Sequence, residues 1–161
     1  KQVGFATDAN IRRMRDVEYV AELYVICLDG IQDGKGYLDT YYADYDAQIP
    51  DQSTVDQVFL NTVEYLQSLL SHLDLKRTRF KNVSDFYSLW AALAQLQKAN
   101  ILPKPAEAAM RLARFDEQTN KEPQDRSETT NRYLSNVQQG TNKKPRRATR
   151  AEILREVLVN G

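Results

Sequence analysis

The stretch RRMRDVEYVAELYVICLDG, residues 12–30, decides how this chain is expected to fold. Its apolar residues recur at the spacing of a helix and predict one over residues 10–28. They form two neighbouring seams: Met14, Val17, Ala21, Tyr24 and Leu28 in one, and Val20, Leu23 and Cys27 in the other. A one-sided surface helix shows an apolar stripe of only roughly 100°. We therefore expect a central helix with neighbours on both sides, in which Val20 and Leu23 are almost fully buried.

The rest of the chain has the pattern of further helices separated by glycine, proline and polar segments. Apolar periodicity and start signals predict helices near residues 37–45, 53–74, 82–100, 105–115, 127–140 and from residue 149 onward. No segment shows the sustained period-two alternation of a strand. The expected fold is all-α, an irregular bundle of about six or seven helices around the central one. We expect a single domain over residues 1–161, as a fragment of a longer protein, with an exposed basic linker at 138–149 before a final short helix.

The composition is that of an ordinary globular protein, with 42% hydrophobic and 27% charged residues. Its formal net charge is zero, so no strong field of the whole molecule attracts nucleic acid or membrane. There is no apolar run of about 18 residues and no secretory signal pattern. The single cysteine, Cys27, fits a buried small hydrophobe in a reducing compartment. We expect a cytoplasmic location and no membrane partner; the oligomeric state is left open.

Residues that could carry catalysis or hold a metal are sparse. The only histidine, His72, is far in sequence from Cys27, and the two cannot supply a zinc site. The early glycines lack the Lys-Ser/Thr and helix of a phosphate-binding loop. Carboxylates one helical turn apart, such as Glu18 and Glu22, are expected to be solvated. We therefore expect no enzyme activity from this fragment, no cofactor, and no catalytic, cofactor-binding or metal residues.

One polar constellation stands at the head of the first helix and contains Arg13, Asp16 and Glu18. Acidic side chains in the first turns suit the positive end of the helix dipole, and Arg15 has the spacing to pair with Glu18 or Glu22. The alternative is that Arg13, Asp16 and Glu18 contact a domain outside this fragment.

A second constellation makes the end of the chain basic. From residue 140 onward there are six Lys or Arg and two Glu. Five of the basic residues fall within eight positions: Lys143, Lys144, Arg146, Arg147 and Arg150. Pro145 interrupts them and favours an extended strip. Such a strip is either a solvated connector or a contact to the phosphates of DNA.

Three phrases give the chain a resemblance to a known family. Residues 13–18, RMRDVE, resemble the Arg-Met-x-Asp-x-Glu phrase that opens a helix in the GmrSD-type restriction proteins, which are bacterial phage-defence proteins. The segment RFKNVSDFYSLWAAL, residues 79–93, resembles a later family segment at Phe80, Asn82, Phe86 and Leu89. The closing TNKKPRRATRAEILREVL resembles a family ending in which a Thr/Asn-rich link precedes a short helix with arginine.

The resemblance implies a role without catalysis. Members of the family begin with a ParB-like domain whose Asp-Gly-Gln-Gln-Arg motif serves nucleotide hydrolysis or sensing of modified DNA, and a separate His-Asn-His nuclease domain often cuts. This chain contains neither motif, and Glu22 stands where a basic residue is expected. The resemblance implies a helical scaffold or regulatory region that packs against the upstream ParB-like domain. The parent protein would then be a nucleotide-dependent nuclease. The alternative is a stand-alone helical module that binds nucleic acid or a protein through the basic strip.

Overall fold

Seven α-helices and three short 3-10 turns form the part of the chain that the computed structural model describes, residues 15–34, 36–138 and 140–161. The helices are α1 (Arg15–Asp29), α2 (Tyr37–Asp44), α3 (Gln52–Leu70), α4 (Val83–Lys98), α5 (Pro105–Thr119), α6 (Glu128–Ser135) and α7 (Lys144–Asn160). The 3-10 turns are Leu75–Arg77, Arg79–Lys81 and Pro123–Asp125. These residues contain no β-strand, so the predicted all-α bundle of six or seven helices is confirmed.

Helix α4 lies at the centre of the bundle. Residues 85–94 are all buried, and the helix contacts α1, α3 and α7. Its sequence, VSDFYSLWAALAQLQK, is apolar around most of its circumference, which is the pattern of a helix enclosed by neighbours. Trp90 at its middle donates a hydrogen bond from Nε1 to the carbonyl of Leu23 at 2.9 Å and so fixes α1 against α4.

Helix α1 packs against one side of α4 and is not itself the centre. Its inner face is buried as expected, with Leu23 only 6% exposed and Cys27 in the core. Val20, however, is 50% exposed, so the prediction of its burial is wrong. The second seam meets the core through Leu23 and Cys27, whereas in the first seam Tyr24 and Leu28 are only partly buried and Val17 is exposed. The residues before Arg15, where the helix was predicted to begin, lie outside the described residues.

The last helix begins earlier than the sequence pattern indicated. It starts at Lys144 rather than at Thr149, so the predicted exposed linker over residues 138–149 is wrong from residue 144 onward. Pro145 lies in the first turn of α7. The first four amide groups of a helix have no partner within it, so a proline there loses no hydrogen bond and its fixed φ suits the helix. Pro145 therefore helps to begin a helix instead of keeping an extended strip.

Leu23→Ala is expected to lower the free energy of unfolding by about 2–5 kcal/mol, because the core around Leu23 can collapse only partly into the space left behind. Val20→Ala on the same helix is the control, and its half-exposed site should lose less than about 1 kcal/mol. Urea denaturation measures both. A loss at Leu23 no larger than the loss at Val20 would contradict the described orientation of α1.

Candidate functional site

An open apolar groove lies between α1, α2 and α3, and we call it the α1–α3 groove. Its volume is about 960 Å³. Side chains of the three helices and of the segment between α2 and α3 line it, among them Val17, Val20, Tyr24, Tyr42, Phe59 and Leu60. Its apolar lining from α1 is the first seam from Val17 to Leu28, together with Val20 and Val25.

Large apolar side chains of the α1–α3 groove are unusually exposed. Val17, Tyr42 and Leu60 are each 55% exposed, and Val20 is 50% exposed. Exposed apolar residues scattered singly are normal in a folded protein, whereas a contiguous set marks a binding surface. Because all four of these residues line one groove, the groove is the strongest candidate for a functional surface in the described part of the chain.

The charged side chains that line the groove are acidic. They are Asp16, Asp46 and Asp56, and no Lys or Arg lines it among the described residues. The hydroxyl of Tyr24 donates to Oδ1 of Asp56 at 2.7 Å. Burial and this hydrogen bond raise the pKa of Tyr24 to about 12. Oδ1 of Asp16, in contrast, is buried and has no hydrogen-bond partner among the residues that the structure describes.

Of the three residues predicted to contact another domain, the two that the structure describes do not share the groove. Asp16 lines the α1–α3 groove, whereas Glu18 is exposed on α1 and does not line it. Arg13 lies outside the described residues. Sequence analysis missed Tyr42 and Leu60, which line the groove together with Asp16, because they come from two other helices. The clustering of tyrosines in the second helix was the one available signal.

The five residues predicted to contact nucleic acid fall into two groups. Lys143 and Lys144 are exposed and Arg146 is half-buried, so a phosphate contact by these three stays a prediction. Arg147 and Arg150 are 3% and 0% exposed, and the prediction that they bind phosphate is wrong. The reason is helical spacing, which puts both of them on the face of α7 that packs against the bundle.

Arg147 forms a buried ion pair with Glu22. Its Nη2 lies 3.0 Å from Oε2 of Glu22, which is 1% exposed. Its Nη1 donates to the carbonyls of Gln32 and Gly34 at 3.3 Å, and its guanidinium lies 4.0 Å from the ring centroid of Tyr87. The expectation that Glu22 is solvated is therefore wrong. Its partner stands 125 residues further along the chain, beyond the reach of any local pattern.

Arg150 is held by neutral acceptors. Its Nε donates to Oγ of Ser88 at 2.9 Å, and its two terminal nitrogens donate to the carbonyls of Asn136 at 2.6 Å and Thr141 at 2.9 Å. Burial lowers the pKa of this guanidinium from its usual value. Asn136 caps the C-terminus of α6, where helix carbonyls lack partners and a cation is favourable. Arg150 thus fastens the connection between α6 and α7 to α4.

A third buried cluster centres on Asp85, which is 2% exposed. The hydroxyl of Tyr133 donates to its Oδ1 at 2.8 Å, and Nη2 of Arg79 lies 3.3 Å from its Oδ2. The guanidinium of Arg79 also lies 4.8 Å from the ring centroid of Tyr133. Burial raises the pKa of Tyr133 well above its ordinary value. These contacts join the turn before α4 to α4 and α6, so the buried charges serve the packing of helices.

Few of the described side chains are suited to bind a metal ion or to act as a nucleophile. No group of three or more His, Cys, Asp or Glu among them is arranged to hold a metal ion. Cys27 is buried, and burial raises the pKa of its thiol to about 11. His72 is exposed. None of the described helices has both the length and the apolar character to span a bilayer.

Arg147→Ala is expected to lower the free energy of unfolding by about 3–5 kcal/mol, because it leaves the carboxylate of Glu22 buried without its cation. Replacing both partners with apolar side chains, Glu22→Leu with Arg147→Met, should cost less than the single change, since no charge is then left buried alone. A double-mutant cycle from chemical denaturation measures the coupling.

The exposed pair Arg132–Glu152 is the control for this cycle. Its Nη2 to Oε2 distance is 2.8 Å, but its side chains are 50% and 56% exposed. Arg132→Ala should therefore cost no more than about 1 kcal/mol. Equal losses at the two pairs would show that Glu22 and Arg147 are solvated.

Cys27 is expected to resist alkylation by iodoacetamide in the folded protein at mildly alkaline pH. The thiolate is the reactive form, and a buried thiol with its pKa raised to about 11 forms little of it. Mass spectrometry gives the labelled fraction with time, with the protein in guanidinium chloride as the reactive reference. Labelling of the folded protein at the rate of the unfolded reference would contradict the described burial.

Comparison with known proteins finds no match to this chain. No protein-family model matches the chain, and no significant match is found among curated proteins or solved structures. The likeness to GmrSD-type proteins therefore rests on the sequence phrases at residues 13–18, 79–93 and 141–158, and membership of that family stays a prediction.

Proposed function

We propose that this chain is the non-catalytic helical region of a GmrSD-like bacterial anti-phage restriction protein and that it packs against the ParB-like domain of that protein. The sequence phrases support the choice of family, and the α1–α3 groove supports the role. In this proposal the region positions the ParB-like domain or transmits its state, and the chemistry belongs to other parts of the parent protein.

The single observation that carries the proposal is the exposed apolar lining of the α1–α3 groove. Val17, Val20, Tyr42 and Leu60 are each at least 50% exposed and line the same concavity. Covering such side chains removes apolar surface from water, at roughly 25 cal/mol per Å² buried. The groove includes Asp16, one of the residues that sequence analysis assigned to an interdomain contact. Asp16 thus belongs both to the interdomain contact predicted from the sequence and to the groove.

The buried polar clusters favour a scaffold over a reactive centre. Asp85 is engaged by Arg79 and Tyr133, and Glu22 is engaged by Arg147. In each cluster opposite charges are paired, and the pair joins separate elements of the chain. These contacts between elements explain why the charged groups are buried, without a role for them in catalysis.

The alternative function, binding of nucleic acid or protein by the basic strip, is weakened by the structure. Arg147 and Arg150 donate to acceptors inside the bundle, which leaves only Lys143, Lys144 and Arg146 of the five predicted contacts. Fewer phosphate contacts give a smaller gain from counterion release, which scales with the number of phosphates neutralised. We therefore prefer the interdomain role.

Val20→Arg in the full parent protein is expected to weaken phage restriction and to reduce binding of the separately produced ParB-like domain. A long charged side chain at the middle of the groove opposes apolar docking. Val83→Arg is the matched control, because Val83 is 47% exposed on α4 and does not line the groove. Plaque counts and calorimetric titration provide the readouts, and circular dichroism shows that both variants are folded.

Two results would count against this proposal. One is a parent gene that encodes no ParB-like domain. The other is equal restriction and equal binding by the two folded arginine variants, which would show that the groove takes no part in the contact.

A further inference from the structure

We propose that the occupant of the α1–α3 groove is an amphipathic helix that packs along α1 and pairs a Lys or Arg with Asp16. This inference rests on the proposed function for the identity of the partner domain. It adds the shape of the docking element and the sign of its charge, both of which follow from the residues of the groove.

The spacing along α1 favours a helix as the occupant. Val17, Ala21, Tyr24 and Leu28 all line the groove, and they follow one another at intervals of four, three and four residues. This is the seam spacing by which one helix packs along another, with side chains of one entering the holes of the next. Ala21 is small and lets the partner approach closely at the middle of the seam. No described helix covers the start of this seam, since Val17 is 55% exposed.

The charges of the groove favour a basic partner. Its described charged lining residues are Asp16, Asp46 and Asp56, and none is basic. Complementary charge across an interface selects the right partner and orients it. The same charges oppose the phosphates of nucleic acid, which argues against DNA or RNA as the occupant.

Of the three carboxylates that line the groove, Asp16 has an oxygen that lacks a partner among the described residues. Asp56 already accepts a hydrogen bond from the hydroxyl of Tyr24, with an oxygen–oxygen distance of 2.7 Å, and Asp46 is exposed to water. Oδ1 of Asp16 is buried and accepts no hydrogen bond from any residue within the described ranges. A buried acceptor without a donor is unfavourable, and a Lys or Arg on the docking helix would place a compensating charge beside this half-buried carboxylate.

Glu18 provides a matched control for Asp16. Both are acidic residues of the first turn of α1, but Glu18 is exposed and does not line the groove. Asp16→Lys should raise the Kd for the ParB-like domain of the parent at least about ten-fold, because it sets two cations against each other in a desolvated contact. Glu18→Lys should leave the Kd within about two-fold, as expected for a charge outside the contact.

The experiment is a calorimetric titration of the parent's ParB-like domain with the wild-type helical chain and with Val20→Arg, Asp16→Lys, Asp16→Asn and Glu18→Lys. Asp16→Asn keeps the shape of the side chain and removes its charge, so it keeps the test decisive if the lysine variant does not fold. A cross-link from Val20→Cys, mapped by mass spectrometry, then identifies the docking element. We expect it on a helix of the ParB-like domain that carries a Lys or Arg within one turn.

The outcomes separate this inference from the proposed function. Absence of binding by the wild-type chain would overturn both. Binding that is weakened by Val20→Arg, with equal affinities for both Asp16 variants and Glu18→Lys, would leave the proposed function standing and overturn the paired charge. A cross-link to a loop, or to a second copy of this chain, would overturn the docking helix.

Discussion

Two arginines on the inner face of α7 have to find acceptors inside the bundle, and this requirement holds distant parts of the chain together. A buried charge is costly unless it is paired or hydrogen-bonded. Arg147 meets Glu22 of α1 and the carbonyls of Gln32 and Gly34, while Arg150 meets carbonyls of the connection between α6 and α7. Apolar packing is non-directional, whereas these bonds are directional. We infer that they fix the register of α7, because a shift by one turn would leave both guanidinium groups without acceptors.

The same contacts divide α1 into two functional faces. Leu23, Glu22 and the hydrogen bond from Trp90 commit one face to the bundle. The seam from Val17 to Leu28, together with Val20, lines the α1–α3 groove. A helix held rigidly on one side presents its other side in a fixed geometry, which reduces the ordering cost of binding a partner. Polar burial in this molecule therefore serves folding, and the apolar surface is available for recognition.

Local patterns predicted the helices well and their surroundings poorly. Helix α5 begins at Pro105 as expected, and Ser127 caps α6 through the amide of Thr130. Helix formation depends on residues within a few turns, so a window of sequence contains the necessary information. The early start of α7 was also local information: Pro145 suits a first helical turn as well as an extended strip, and the arginines lie at helical spacing with Ala151 and Leu154, which are buried. That periodicity on a partly apolar face was the signal that the arginines are internal.

The sequence by itself determined the all-α class, the positions of most helices and the burial of Cys27, because each depends on the periodicity and size of neighbouring side chains. Tertiary structure alone decided which seam of α1 meets the bundle and which one borders the groove. It also decided the environment of Glu22, since the free energy of burying a carboxylate depends on whether a cation is at hand, and here that cation is Arg147 at a separation of 125 residues. The groove itself combines side chains from three helices, and only their packing brings Val20, Tyr42 and Leu60 to one surface.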